Sequence, residues 1–172
     1  NEGHRRLADD TVVVALNRVT ELRSWSLDPD RGPAGTLRLG AAVTYGEIER
    51  SPLAEFSPAL AQAARTVGSP QIRSAATVGG NLATCSPAGD GLPPLVAHDA
   101  VVEIAGPHGR RRVPIGEFIV GVKRTALEPG ELIVAVEIPL LDGWQGYSKV
   151  GIRDAMVISI ASVCVAFDGH GR

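Results

Sequence analysis

The interpretation of this chain depends most on residues 68–91, which read GSPQIRSAATVGGNLATCSPAGDG. The stretch is rich in Gly, Pro, Ser and Asn, and two further prolines extend it to Pro94. Long irregular segments inside compact domains are usually functional or disordered. Ile72, Val78 and Leu82 supply apolar anchors along it. We therefore predict an ordered, functional loop over residues 68–94.

The most informative part of this loop is Thr77-Val78-Gly79-Gly80-Asn81. Two adjacent glycines let the backbone approach a ligand closely and turn successive N–H groups into one concavity that suits a phosphate. The Thr hydroxyl and the Asn amide add hydrogen-bonding groups. Taken alone, a Gly-Gly pair is more typical of a tight turn, with Asn81 as a helix cap. The spacing of a Walker loop is absent.

Asp90 lies just before Gly91-Leu92-Pro93-Pro94. Its spacing alone favours the cap of a helix whose first turn tolerates proline. The alternative is an acceptor for ribose hydroxyls, a role that acidic residues have in other dinucleotide-binding folds. Lys149, by default, is a surface lysine.

The rest of the chain mixes strands and a few helices without regular β–α–β alternation, which indicates an α+β fold. In the strand over 132–138, Leu132, Val134, Val136 and Ile138 are predicted to face the core, and Ile133, Ala135 and Glu137 the opposite side. The other predicted elements are strands over 12–16, 37–43, 101–105, 112–115 and 158–167, a short helix opened by a capping box of Thr44 and Glu47, and a helix that Ser57 caps and Gly68 ends.

Charge and composition exclude several classes of protein. The 172 residues include 17 basic and 19 acidic side chains, for a net charge of -2, which argues against a nucleic-acid binder. Arg110-Arg111-Arg112 is predicted to be a solvated strand edge. The longest uncharged apolar run, Ala155 to Phe167, is shorter than a membrane span, and no secretory signal is recognised.

The cysteines and histidines further limit which disulfides, clusters and metal sites the chain can form. Cys85 and Cys164 are far apart and form no C-x-x-C pattern, so we expect no disulfide framework and a cytoplasmic location. Two cysteines are too few for an iron–sulfur cluster, and the scattered histidines lack metal-site spacing. No metal site is therefore expected. The start at Asn1 and the end soon after Asp168-Gly169 suggest a piece of a longer protein.

Three motifs occur in an order that resembles the FAD-binding (medium) subunit of the molybdenum hydroxylase family, which includes xanthine dehydrogenase and aerobic carbon monoxide dehydrogenase. They are residues 68–73 (GSPQIR), 77–81 (TVGGN) and 86–90 (SPAGD). Further matches follow at 123–125 (KRT), 129–133 (PGELI), 137–139 (EIP) and Lys149. The resemblance covers nearly the whole chain, and its combined motifs are specific.

The resemblance implies a two-lobed FAD-binding fold of the vanillyl-alcohol-oxidase (PCMH) type, with FAD between the lobes. It implies that Asp90 holds the adenosine ribose, that Ile133 packs near the isoalloxazine ring, and that Lys149 lies near a flavin carbonyl and tunes the reduced ring. Val67 matches a position where some relatives carry an aromatic residue. The segment implied to bind the cofactor through backbone amides and polar side chains is Thr77, Val78, Gly79, Gly80 and Asn81.

The family's first glycine-rich pyrophosphate loop should precede residue 12 and is absent from this sequence. The fold is therefore expected to be truncated at its N-terminus and in its C-terminal domain. By the resemblance, residues 1–142 are the FAD-binding domain and residues 143–172 begin the C-terminal domain of the flavoprotein subunit.

The implied function is electron transfer in an oxidoreductase complex. A molybdopterin-binding large subunit would hydroxylate the substrate, a [2Fe-2S] small subunit would relay electrons, and FAD on this chain would pass them to NAD or another acceptor. The alternatives are a stand-alone FAD oxidase of the same fold and a non-catalytic assembly module that has lost flavin.

Overall fold

The central sheet forms because apolar residues recur at every second position on its inner strands. The computed structural model describes residues 11–169; residues 1–10 and 170–172, the outer ends of the two predicted domains, lie outside the described part. The strands of the central sheet are β1 (Trp25–Asp28), β2 (Thr36–Gly40), β3 (Val101–Gly106), β4 (Gly109–Pro114) and β7 (Leu132–Pro139). The sheet is antiparallel, and these strands follow the order β1-β2-β7-β3-β4.

One face of the sheet is apolar. Leu37 and Leu39 of β2 lie opposite Ile138 and Val136 of β7, and all four side chains are buried. The helices pack on this side and complete the core. The structure thus confirms the alternation predicted after residue 37, although β2 ends at Gly40.

The opposite face carries paired charges. Arg38 Nη2 lies 2.6 Å from Glu103 Oε2 on β3, and Arg31 Nη1 lies 2.7 Å from Glu137 Oε1 on β7. Arg112 of β4 also contacts the Glu137 carboxylate. Glu137 is consequently buried although it faces away from the core.

The predicted loop over 68–94 is wrong in one respect, because it is mostly helical. Ser69 Oγ accepts a hydrogen bond from Ile72 N (3.3 Å), and Thr77 Oγ1 accepts one from Gly80 N (3.1 Å), so two side-chain caps start two short helices here. The helices are α1 (Thr20–Arg23), α2 (Tyr45–Ile48), α3 (Leu53–Phe56), α4 (Pro58–Thr66), α5 (Pro70–Ala75), α6 (Val78–Thr84), α7 (Leu92–Ala97) and α8 (Ile115–Phe118). The predicted capping box of Thr44 and Glu47 is confirmed at the start of α2.

A second hairpin lies along α4. It consists of β8 (Gln145–Val150) and β9 (Ala161–Ala166), so the strand predicted over 158–167 is present in shortened form. The side chain of the predicted cap, Ser57, makes no hydrogen bond within the described residues; at the start of α4, Gln145 Oε1 of β8 accepts one from Ala59 N instead, at 3.1 Å. A small third sheet pairs β5 (Ile119–Gly121) with β6 (Arg124–Thr125).

The predicted strand over 12–16 is wrong. Val12, Val13 and Val14 are more than 70% exposed and have no regular secondary structure. A strand needs a neighbour that completes its backbone hydrogen bonds, and no strand of residues 11–169 pairs with this segment. The predicted hairpin of β3 and β4 is confirmed, and β4, which carries the three arginines, is an outer strand of the sheet.

Candidate functional site

A cavity of about 420 Å³ opens between the start of α6, the turn after β2 and the start of β7. Four of the residues singled out in the sequence line it: Thr77, Gly79, Gly80 and Ile133. Its other walls are mainly apolar, with Ala41 and Leu132 among them. Segments far apart in the sequence therefore meet here.

Gly79 and Gly80 meet different surroundings. A Cβ at Gly79 would lie 2.6 Å from Ala41 Cβ and 2.7 Å from Ala41 O, so glycine is required for α6 to pack against the turn after β2. At Gly80 a Cβ would meet only Thr77 Oγ1, at 3.0 Å, within 4 Å. Gly80 is thus the position where the bare backbone faces the cavity.

The predicted concavity of free N–H groups is wrong, because the first amides of α6 are all hydrogen-bonded within the chain. Val78 N donates to Val43 O (3.0 Å), Gly79 N to Ala41 O (2.8 Å) and Asn81 N to Thr77 O (3.0 Å). Gly80 N donates to the Thr77 hydroxyl. These bonds fix α6 to the sheet, and the Thr77 O–H remains as a donor toward the cavity.

Ile133 reaches the cavity through an irregularity in the sheet. The register between β3 and β7 shifts after Glu103, so that Ile104 lies opposite Ile133. Directly paired residues share a side of the sheet, and a β-bulge re-aims the side chains that follow it. Ile133 therefore shares the side of Ile104, whereas simple alternation predicted the side of Ala135. Leu132, predicted to face the core, is half exposed.

Asp90 lies in a second cluster and caps no helix. Tyr147 Oη donates to Asp90 Oδ1 at 2.8 Å, and Lys149 Nζ donates to Asp90 Oδ2 at 2.8 Å. The side chains of Asp90 and Lys149 are each only 9% exposed. The preferred cap interpretation of Asp90 is therefore wrong: α7 begins after Gly91, and Asp90 forms a buried ion pair with β8.

All three N–H donors of Lys149 are occupied. Besides Asp90, its ammonium donates to Thr66 O (2.8 Å), the last residue of α4, and to Val157 O (3.1 Å). The implied contact with a flavin carbonyl thus requires one of these bonds to be exchanged, because an ammonium has three donors. Lys149 is accordingly a buried lysine rather than a surface one.

Two tyrosines lie beside this pair, and the sequence did not single them out. Burial, followed by the hydrogen bond to Asp90, raises the pKa of Tyr147. Burial and the nearby Asp90 charge raise the pKa of Tyr45, whose hydroxyl has no hydrogen-bond partner among the described residues. Both phenols stay protonated at neutral pH. One sequence pattern could have identified Tyr147: it lies two residues before Lys149, and this spacing puts both side chains on one side of a strand.

Three further residues of the predicted cofactor-binding set do not line the cavity at Gly80; they are Val78, Asn81 and Val67. Val78 is fully buried in the core. Asn81 Oδ1 is buried, has no hydrogen-bond partner in the part of the chain that the structure describes, and lies against the backbone of Gly89 and Gly91. Val67 is partly buried against the core, and its carbonyl accepts from Arg73 Nη1 at 3.4 Å.

A larger cavity of about 850 Å³ borders the second cluster. Its lining includes Arg65, Arg73, Lys149 and Arg153, with Asp154 as a nearby acid. The positive charges give it a different character from the apolar cavity at Gly80.

Within residues 11–169, no cluster of three His, Cys, Asp or Glu side chains is arranged to hold a metal ion. None of the described helices combines the length and the hydropathy that a transmembrane segment requires. Cys85 and Cys164 are both free thiols.

Residues 2–141 match the family model described as FAD binding domain in molybdopterin dehydrogenase. The xanthine dehydrogenase FAD-binding subunit of Escherichia coli O157:H7 is 37% identical over 151 residues, which are 86% of this chain and 50% of that protein. The carbon monoxide dehydrogenase medium chain of Hydrogenophaga pseudoflava is 32% identical over 149 residues, 84% of this chain and 50% of its own length. The chain thus spans about half the length of these curated relatives.

Solved structures agree with this match. Quinoline 2-oxidoreductase from Pseudomonas putida 86 superposes with a TM-score of 0.78 at 28% identity, over 86% of this chain and 50% of the matched chain. Carbon monoxide dehydrogenase from Hydrogenophaga pseudoflava superposes with a TM-score of 0.76 at 31% identity, with the same coverage. The resemblance noted in the sequence is confirmed: this chain belongs to the family of FAD-binding domains of molybdopterin dehydrogenases.

Proposed function

We propose that this chain is the FAD-binding part of a flavoprotein subunit in a molybdenum-dependent hydroxylase or dehydrogenase. The observation that carries the proposal is the cavity at Gly80, which is bordered by two separate segments that the family motifs mark, residues 77–81 and 129–133. When bound, FAD would supply the redox chemistry, and the protein would orient and tune it.

The residues at the cavity fit part of such a cofactor. Gly80 leaves room beside the backbone, since a Cβ there would meet only Thr77 Oγ1 within 4 Å. The Thr77 hydroxyl has an O–H to donate to a phosphate oxygen, because its acceptor side already serves Gly80 N. Ile133 adds an apolar side chain to the lining of the same cavity, which suits a flat ring.

We assign the remaining roles by the family match. Asp90 holds the adenosine ribose and Val67 contributes apolar contact. Lys149 balances the charge of Asp90 there, because its ammonium lies 2.8 Å from the Asp90 carboxylate, whereas the flavin carbonyls lie at the other end of an extended FAD. Each carboxylate oxygen has two lone pairs, so Asp90 can accept from a ribose hydroxyl while it keeps Tyr147 and Lys149. Val78 and Asn81 support the segment by packing rather than by contact.

The architecture and partners that we propose follow the same match. The fold is the two-lobed PCMH type, with residues 143–172 at the start of a second domain. The partners are a molybdopterin-binding large subunit and an iron–sulfur small subunit, which would deliver electrons for NAD or another acceptor. Two free cysteines fit a reducing cytoplasm.

The visible absorption spectrum of the purified intact protein, with chromatography of released flavin, tests this function. A yellow protein that releases intact FAD, and that co-purifies with a molybdenum subunit and an iron–sulfur subunit, supports the proposal. A folded but colourless protein that does not respond to added FAD contradicts it and favours an assembly module. Retained FAD with turnover by the isolated protein favours a stand-alone oxidase.

A further inference from the structure

Three residues of β8 contact α4 from its first turn to its end. Gln145 Oε1 accepts from Ala59 N, Tyr147 N donates to Gln62 Oε1 at 2.8 Å, and Lys149 Nζ donates to Thr66 O. Because alternate residues of a strand point the same way, Tyr147 and Lys149 approach Asp90 together. The hairpin and the segment between α6 and α7 are therefore joined at the Asp90 carboxylate.

Tyr147 and Lys149 make different contributions at this junction. Lys149 balances the charge of the buried carboxylate at Oδ2, with two backbone carbonyls completing its donors. Tyr147 is neutral, and of the two Asp90 oxygens its hydroxyl contacts Oδ1, while the side chains of Ser162 and Thr66 also interact with Tyr147. The Tyr147 hydroxyl therefore fixes the rotation of the carboxylate plane without altering its charge. A carboxylate held at both oxygens keeps one orientation, which is what recognition of a ligand hydroxyl requires.

We propose that Tyr147 is a positioning residue of the cofactor site, holding Asp90 Oδ1 so that the Asp90 carboxylate is presented to FAD in one fixed orientation. This inference depends on the proposed role of Asp90 as a ligand of the cofactor. Tyr147 itself does not contact FAD in this assignment. Its effect on FAD binding is transmitted through Asp90.

The test uses the intact protein, stripped of FAD and titrated with FAD. Tyr147→Phe should raise the Kd for FAD about ten-fold, which corresponds to about 1.4 kcal/mol. Tyr45→Phe is the matched control, because the Tyr45 hydroxyl is buried near Asp90 but makes no hydrogen bond to any of residues 11–169. This control should bind FAD within about two-fold of wild type, and both variants should match the wild-type thermal midpoint of the FAD-free protein to within a few degrees.

A double-mutant cycle separates positioning from a general structural effect. Asp90→Ala should weaken FAD binding more than Tyr147→Phe does. In the Asp90→Ala background, Tyr147→Phe should raise the Kd for FAD by less than about two-fold. Asp90→Asn retains the acceptor for Tyr147 and provides a milder replacement if the alanine variant does not fold. The visible circular dichroism of bound FAD should change in Tyr147→Phe and stay unchanged in Tyr45→Phe.

The outcomes distinguish the two proposals. If Asp90→Asn weakens FAD binding while Tyr147→Phe binds as wild type does, the positioning role is wrong and the role of Asp90 stands. If Tyr147→Phe loses as much affinity without Asp90 as with it, its effect is not transmitted through Asp90, and the inference fails. If neither Asp90 variant changes the affinity, the assignment of Asp90 to the cofactor fails and the inference fails with it.

Discussion

Gly79 and Gly80 are adjacent residues with separate physical reasons to be glycine. The Gly79 Cα packs against Ala41, whereas the Gly80 Cα faces the cavity. Gly79→Ala should lower the free energy of unfolding by about 2 kcal/mol, because the added methyl group meets backbone that cannot yield. Gly80→Ala should keep or slightly raise stability, because alanine favours a helix by up to about 1 kcal/mol over glycine. Chemical denaturation of the FAD-free protein measures both, and equal losses would contradict the distinction.

The Gly80 side of the cavity gives a separate prediction about the cofactor. Gly80→Leu places a longer side chain where the bare backbone now faces open space, in a residue type that helices accept. We expect at least a ten-fold weaker affinity for FAD with a folded protein, measured by flavin titration. Exposed Ala83→Leu, one turn further along α6 on the same wall, is a less severe comparison. If Gly80→Leu binds FAD with the wild-type affinity, the cofactor does not bind against this wall of the cavity.

Gly91 and Tyr45 form a contact that can be tested by rescue. Gly91 has φ -77° and ψ -17°, which any residue adopts, so only space opposes a side chain there. A Cβ would collide with the Tyr45 hydroxyl. Gly91→Ala should lower the free energy of unfolding by about 2 kcal/mol, and adding Tyr45→Phe should recover part of that loss. The same cost in both backgrounds, measured by urea denaturation, would rule out this collision as the cause.

At the scale of single residues, Thr77, Gly80 and Ile133, which the family motifs mark, line one cavity. The sequence did not point to Tyr147, because its partner Asp90 is 57 residues earlier in the chain. Such a contact depends on how β8 docks on α4, and no local pattern encodes that docking.

Among the elements, an ion pair joins the β3–β4 hairpin to the segment before β7. Arg111 Nε lies 2.7 Å from Glu131 Oε1, and Glu131 also lines the cavity at Gly80. The hydrogen bond from Arg111, followed by that from the Glu128 amide, lowers the pKa of Glu131 to about 2. The pair therefore holds the segment from which Leu132 and Ile133 extend.

This pair predicts a component of acid sensitivity. A carboxyl whose pKa is lower in the folded state than its unfolded value of about 4.3 stabilises the fold above that value and loses the effect as the pH falls toward 2. Glu131→Gln should therefore flatten the fall in the free energy of unfolding between about pH 4.5 and pH 2. Glu117→Gln is the control, since Glu117 is exposed and makes no ion pair in the described structure. Denaturation curves at several pH values would contradict the prediction if both variants kept the wild-type slope.

The elements show where local sequence information was sufficient. The capping box at Thr44 carries its own signal within four residues, and the structure contains it. The region after Gly68 was predicted as a loop because its many glycines and prolines are typical of loops. The structure instead places Pro70 and Pro93 in the first turns of helices, where proline is tolerated. The bulge that re-aims Ile133 depends on the register of two paired strands, which alternation along one strand does not contain.

In the molecule as a whole, the mixture of helices and strands was predictable, but the strand order was not. The strand β7 lies between β2 and β3, so the sheet joins segments about a hundred residues apart along the chain. The apolar run at 12–16 had the composition of a strand and lacked a partner among the described strands. The amino-acid composition of a segment shows whether it is suited to a strand, whereas hydrogen bonding to a neighbouring strand determines whether it forms one.

The arginine run of β4 has a consequence for how this protein behaves at high concentration. Residues 110–112 lie on an outer strand, and their guanidinium groups bind carboxylates of three different segments, at Glu21, Glu131 and Glu137. An outer strand exposes a row of backbone groups on which a foreign strand can grow, and charged side chains discourage that growth. A second copy aligned on β4 would bring its own cations against this row. The run thus opposes the addition of a second copy at the β4 edge of the sheet.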